Sequence, residues 1–197
     1  KGVTNMQYGL IGEKLGHSFS AEIHQELKSH PYTLCELSPD EIKVFLTAKD
    51  FSAINVTIPY KKDVLPYLNE LTDDAKEIQC VNTIIKRPDG TLLGHNTDIS
   101  GFMTMVKNAQ MDVQGKKVVV LGSGGTSLTA TVSLRKMGAK EIVIISRTGE
   151  NDYQSLYEKH KDAQVLVNTT PVGMYPNNGE RLINLSEFTN CRKALDL

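Results

Sequence analysis

The stretch from Lys117 to Ile145 constrains this chain more than any other. Lys117–Leu121 (KVVVL) is a dense β-branched run, followed at once by Gly122-Ser123-Gly124-Gly125. A helical segment then reaches about Met137, closed by Gly138, and a second apolar run follows at Glu141–Ile145. Strand, glycine turn, helix and strand within roughly 30 residues make a βαβ unit with parallel strands. Glycines in that turn let the backbone come close to a pyrophosphate, and the first turn of the helix presents unpaired N–H groups to it. The pattern departs from G-x-G-x-x-G, because Ser127 holds the third glycine position. Alone, such a turn also suits a tight strand–helix connection. Its place between two β-branched strands points to a dinucleotide, approached closely by the backbone at Gly124 and its neighbours.

The second strand of the unit ends in Ser146-Arg147-Thr148. A site for NAD places Asp or Glu there to bond the ribose 2′-hydroxyl. A guanidinium, here Arg147, meets a 2′-phosphate instead, with Ser146 or Thr148 adding a hydroxyl donor, so NADP is the expected cofactor. Glu150 stands nearby as an opposing charge.

Apolar runs alternate with helical patterns elsewhere too, which makes the class α/β. Strands are expected at Tyr8–Ile11, Tyr32–Leu37 and Phe51–Ile58, with a helix at Ala21–Lys28. Ser38-Pro39-Asp40-Glu41 opens a helix running to about Thr47: a Ser cap, Pro at the first position, and Glu three residues after the cap. Helical segments follow at Lys62–Leu68, weakened by Pro66, and at Asp73–Gln79. Thr83–Arg87 and Thr91–His95 flank Pro88-Asp89-Gly90 and form a hairpin, the antiparallel part of a mixed, mostly parallel sheet. A helix from Asp98 to about Ala109 leads into the glycine-rich half, where Val165–Asn168 and Ala194–Leu197 read as further parallel strands. Two domains are therefore expected, residues 1–99 and a Rossmann-like unit over residues 100–197.

Composition excludes several classes of function. A net charge of −1 with no Lys/Arg run leaves no footprint for nucleic acid. No apolar stretch approaches the roughly 20 residues of a membrane helix, and the first seven residues lack a signal-peptide core, so the expected location is cytoplasmic. Cys35, Cys80 and Cys191 share no ligand spacing with His; they read as reduced, and no metal is expected.

In the first half, polar residues gather at strand ends: His17-Ser18-Phe19-Ser20, Asn55 to Lys61 (NVTIPYK), Val81-Asn82-Thr83 and Asn96-Thr97-Asp98. Ligands of open α/β sheets bind beyond strand carboxyl ends, so these fragments are candidate walls of a polar-substrate pocket. Taken singly, each is also a cap or a turn: Ser20 suits a helix beginning at Ala21, Asp98 suits the helix after it, and Lys61 suits a solvated surface.

Six segments in order resemble the shikimate dehydrogenase family along nearly the whole chain: YGLIGEKLGHSFSAEIH (Tyr8–His24), NVTIPYK, GHNTDISGF, LGSGGTS, SRT and NTTPVGM (Asn168–Met174). The resemblance implies reversible reduction of 3-dehydroshikimate to shikimate with NADP, in aromatic amino-acid biosynthesis. It implies Lys61 and Asp98 as the catalytic pair, and Ser18, Ser20, Thr57 and Asn82 as contacts of the substrate carboxylate and ring hydroxyls. It also places Gly122 to Thr126 on the pyrophosphate, Arg147 and Thr148 on the 2′-phosphate, and Asn168, Thr169, Thr170 and Met174 near the nicotinamide. The chemistry accepts this, since hydride transfer at a carbinol carbon needs an acid–base group beside its oxygen.

Departures from the family pattern touch loop stiffness and cofactor contacts: Ala21 in place of Pro, Gln25 of Asn, Lys14 of Pro, and Ser146 of Asn. Family members continue past a strand like KALDL (Lys193–Leu197) with a Tyr-Asn-Pro segment, a final helix returning to the substrate domain, and a substrate-binding Gln. The chain is accordingly expected to be an incomplete polypeptide, poorly active as it stands, with residues 1–5 a leader or remnant ahead of Met6. A quinate/shikimate dehydrogenase using NAD is the rival within the fold, and a non-catalytic ligand-binding remnant the rival from another class. A monomer or homodimer is expected.

Overall fold

Contacts within the fold divide the chain into two units, Lys1–Thr97 and Asp98–Leu197. The structure is a computed structural model that describes residues 6–174 and 178–197; residues 1–5, read above as a leader, lie outside them.

The first unit runs β1 (Tyr8–Gly12), α1 (Ser20–Glu26), β2 (Thr33–Glu36), α2 (Pro39–Ala48), β3 (Ala53–Val56), β4 (Glu70–Leu71), α3 (Asp73–Ile78), β5 (Thr83–Lys86) and β6 (Leu92–His95). Its sheet has the order β2-β1-β3-β5-β6-β4. β1 lies parallel to β2 and β3, β5 is antiparallel to β3 and β6, and β4 is parallel to β6. The mixed sheet is thus as expected. Alternation on β3 sends Ile54 and Val56 into the core and turns Asn55 to the other face. α2 begins where the Glu41 carboxylate accepts both the N–H and the O–H of Ser38, each at 2.8 Å. It buries Ile42, Phe45 and Leu46 against Phe51, Tyr60 and Val64. A side chain of that size contributes about 1.5–3 kcal/mol on burial.

The second unit runs α4 (Asp98–Asn108), β7 (Lys117–Leu121), α5 (Gly125–Lys136), β8 (Glu141–Ile145), α6 (Tyr153–Lys159), β9 (Val165–Asn168) and β10 (Lys193–Asp196). Its four strands are all parallel, in the order β10-β9-β7-β8. One face packs Val118, Val120, Val165 and Val167 on Phe102 and Val106 of α4 and Ala130 and Leu134 of α5. The other packs Val119, Leu121, Ile145 and Leu166 on Leu156 of α6 and on Phe188. A strand covered on both faces has no polar side to show, which is why KVVVL reads as an unbroken apolar run.

Some elements differ from the sequence reading. The helix expected over Lys62–Leu68 is a series of turns with a single 3-10 turn, Leu65–Tyr67, since Pro66 offers no N–H to continue an α-helix. The strand expected over Phe51–Ile58 is confined to Ala53–Val56, because Tyr60 N–H bonds Thr57 C=O at 3.0 Å and curls the chain. Ser20 does not cap α1: it is the helix's first residue, behind Phe19, and α1 has no side-chain cap. β4 and α6 were not expected. No helix among the described residues is long and apolar enough to cross a membrane.

Candidate active site

β1 and β3 run in parallel and deliver their following loops to the same edge, and antiparallel β5 begins there. Gly12 closes β1 where space is short: a Cβ would stand 2.7 Å from both Leu15 Cδ2 and Thr57 Cγ2 and would force those side chains to shift. The loop after β1 is tied down by Leu15 N–H on Glu36 Oε1 (2.8 Å) and Ser18 N–H on Leu15 C=O (2.9 Å). Ser18 Oγ then donates to Ser20 Oγ at 3.1 Å and accepts the Ser20 N–H at 3.3 Å, which holds both hydroxyls at the start of α1.

The loop after β3 is anchored by Tyr60. Its ring is buried in the core and its phenol donates to Leu37 C=O at 2.6 Å; burial pushes that phenol's pKa up. Thr57 N–H bonds Ile11 C=O (3.0 Å), and Lys61 C=O accepts the Val81 N–H (2.8 Å). With Tyr60 pinned inward, half-buried Lys61 is carried beside it at the strand edge. Asn82, 8% exposed, completes the group: Thr97 N–H donates to its Oδ1 (2.9 Å) and its Nδ2 donates to Thr97 Oγ1 (2.9 Å).

Ser18, Ser20, Thr57, Lys61 and Asn82 therefore line one cavity of 650 Å³. Glu13, Lys14, His17 and Asn55 share its walls. Such a cavity, with hydroxyls, amides and an ammonium converging, suits a small polyhydroxylated acid. Asp98 belongs to the second unit as the first residue of α4. Asn55 is a wall residue with no role expected from the sequence. A polar amide between Ile54 and Val56 in the middle of a strand was the available signal, because Asn is depleted there.

In the second unit, the proposed cofactor residues sit at the carboxyl ends of the adjacent strands β9, β7 and β8. Gly122 has φ +111°, open to glycine alone, and a Cβ there would meet Thr169 Oγ1 at 2.7 Å. Gly124 is the N-cap of α5, with no side-chain cap bond, and a Cβ at Gly124 or Gly125 would meet nothing within 4 Å. An uncapped helix start, facing open space across two glycines, fits a pyrophosphate. Arg147 and Thr148 are exposed past β8, whereas Ser146 is buried with its N–H on Asn151 C=O (3.0 Å). At the end of β9, Asn168 is occupied by the loop that follows and by β10: its Oδ1 accepts from Thr170 N–H (3.0 Å) and O–H (2.8 Å), and its Nδ2 donates to Asp196 (2.7 Å). Thr169 Oγ1 donates to Leu121 C=O at 2.7 Å, and Met174 is 59% exposed. A further cavity of 830 Å³ opens beside Asn168 and Gly173, with Tyr157 and Arg181 in its wall, but reaches neither the glycine turn nor Arg147.

A family model described as the shikimate dehydrogenase substrate binding domain matches residues 10–84. The chain is 35% identical over 208 residues to the NADP(+) shikimate dehydrogenase of Clostridium beijerinckii, covering 96% of this chain and 77% of that one. Among solved structures, shikimate dehydrogenase 1 of Peptoclostridium difficile is 35% identical with a TM-score of 0.80, covering 98% of this chain and 77% of that one. A shikimate 5-dehydrogenase of Thermus thermophilus, solved in complex with NADP(H) and shikimate, is 25% identical with a TM-score of 0.79, covering 97% and 78%.

Proposed function

The chain belongs to the shikimate dehydrogenase family, and we propose that it interconverts 3-dehydroshikimate and shikimate with NADP, using Lys61 and Asp98 as its acid–base pair. The observation that carries this reading is the convergence of Ser18, Ser20, Thr57, Lys61 and Asn82 on one cavity. Gly122 to Thr126 would hold the pyrophosphate, and Arg147 with Thr148 the 2′-phosphate. Ser146, Asn168, Thr169, Thr170 and Met174 would support that site from the neighbouring strand ends. Bound NADPH supplies the hydride.

The chain's own residues do the rest. As negative charge builds on the carbonyl oxygen, the Lys61 ammonium gives it a proton. In the oxidative direction, neutral Lys61 takes the proton from the ring hydroxyl. Asp98 is the carboxylate assigned to orient that lysine. Ser18, Ser20, Thr57 and Asn82 fix the carboxylate and remaining hydroxyls, so that the reacting carbon is presented in one orientation. The reading takes the protein as a cytoplasmic monomer or homodimer with small-molecule partners and no nucleic-acid or membrane partner.

The test follows NADPH absorbance on addition of 3-dehydroshikimate. Consumption that depends on the substrate and exceeds the rate with NADH supports the reading. No consumption, by protein shown to bind NADPH, would overturn it.

A further inference from the structure

We propose that Tyr32 is a positioning residue for this cavity, acting through the amide of Asn55 on Asn82; its bearing on turnover rests on the reading that the cavity takes shikimate. An asparagine amide is nearly symmetric in shape and opposite in hydrogen bonding at its two ends, so something must choose its orientation. The Asn55 side chain, on the non-core face of β3, is held at both ends. Tyr32 O–H donates to Asn55 Oδ1 at 2.7 Å. Asn55 Nδ2 donates to Asn82 C=O at 3.3 Å and to Thr83 Oγ1 at 3.1 Å. Reversed, the amide would set Oδ1 against the Asn82 carbonyl oxygen, acceptor on acceptor.

The chain of donors then continues in one direction. Thr83 Oγ1, having accepted from Asn55, donates to Asn82 Oδ1 at 3.1 Å, the oxygen that also accepts the Thr97 N–H. Phenol to amide, amide to hydroxyl, hydroxyl to amide: each bond polarises the next. Asn82 is thereby fixed with its amide ends assigned, as a residue contacting a specific hydroxyl must be. Tyr32 is not one of the cavity's walls, whereas Asn55 and Asn82 are. It acts from behind them.

Tyr32 is itself held. The His24 ring stacks on it with centroids 3.9 Å apart and planes 6° from parallel, and His24 Nδ1 lies 2.7 Å from Ser29 Oγ. Burial pushes the Tyr32 phenol up to about 12, so the hydroxyl keeps its proton, and its role as donor, across the working pH range.

The experiment compares wild type, Tyr32→Phe, Asn55→Ala and the double variant. Tyr32→Phe keeps the ring and its stack and removes only the O–H. The shikimate KM should rise about fivefold, the scale of one neutral hydrogen bond. kcat, NADP KM and melting temperature should stay near wild type, which a role confined to the fold would not predict. In the Asn55→Ala background Tyr32→Phe should change the shikimate KM no further, because its route to Asn82 is gone. A second readout needs no substrate: the side-chain NH2 signals of Asn55 and Asn82 in ¹⁵N–¹H spectra should shift and exchange faster in Tyr32→Phe. Unchanged amide signals, or effects that multiply in the double variant, overturn the proposal. A wild type that turns over no shikimate overturns the functional reading instead, and the amide signals still decide the positioning role.

Discussion

Lys61 owes its place to its neighbour. Tyr60 is 2% exposed and bonded to Leu37, so truncating the next side chain should leave the loop where it is. Lys61→Ala should therefore lower kcat by about 10²- to 10⁴-fold, the usual contribution of a general acid–base group. The shikimate KM and the melting temperature should change little. A loss of less than about tenfold in steady-state assays would remove Lys61 from the proton path. Arg147 has the opposite setting, exposed at the end of β8. Arg147→Ala should weaken NADP and spare NAD, because a charge-assisted bond to the 2′-phosphate has no counterpart in NAD. Calorimetric titration of both cofactors checks this, and equal losses would mean that Arg147 serves the pyrophosphate or the fold.

At the scale of elements, the turn between β7 and α5 separates two jobs that glycine can do. Gly122 lies at φ +111° against Thr169, and Gly124 lies at φ −83° with open space around it. Gly122→Ala should lower the melting temperature, costing at least about 1 kcal/mol in backbone strain alone, and weaken NADP as a consequence. Gly124→Ala should melt as wild type does and still weaken NADP, since its methyl group would occupy the open space before the helix start. Thermal melts with and without NADP distinguish them; a common loss of stability in both would refute the division. The same turn was legible in the sequence because glycine spacing and β-branched strands are local signals. α6 was not, because Tyr153–Lys159 is only seven residues long and its inward side is one leucine, Leu156, between the amphipathic rings of Tyr153 and Tyr157. β4 is two residues long and exists only through its pairing with β6. The cavity stood between these cases. Its fragments were visible at strand ends, but their convergence depends on which strands are neighbours, a long-range fact, and the Tyr32–Asn55 bond spans 23 positions of sequence.

Across the whole molecule, the two units build separate cores, so each can lose stability for its own reasons. His160 supplies such a reason in the second unit alone. It closes α6, and neither ring nitrogen has a hydrogen-bond partner among the described residues. Burial, and after it the Lys117 ammonium on β7, lower its pKa from the ordinary value of 6.5. Lys159 adds to this, while Glu141 on β8 and Asp162 oppose it. For a histidine lowered on folding, both states are neutral well above pH 6.5 and the stability is intact. As pH falls through 6.5 the unfolded chain takes up a proton that the folded one resists, so stability drops until the folded pKa is reached. The transition belonging to the four-stranded sheet should therefore fall in temperature as pH drops below 6.5. His160→Phe, similar in shape and without a proton to gain, should flatten that dependence. Hydrogen exchange at β7 and β9, set against β1 and β3, assigns the loss to its unit. An acid-induced loss of equal slope in wild type and His160→Phe, or one centred on β1 and β3, would show that His160 does not set the acid limit of the second unit.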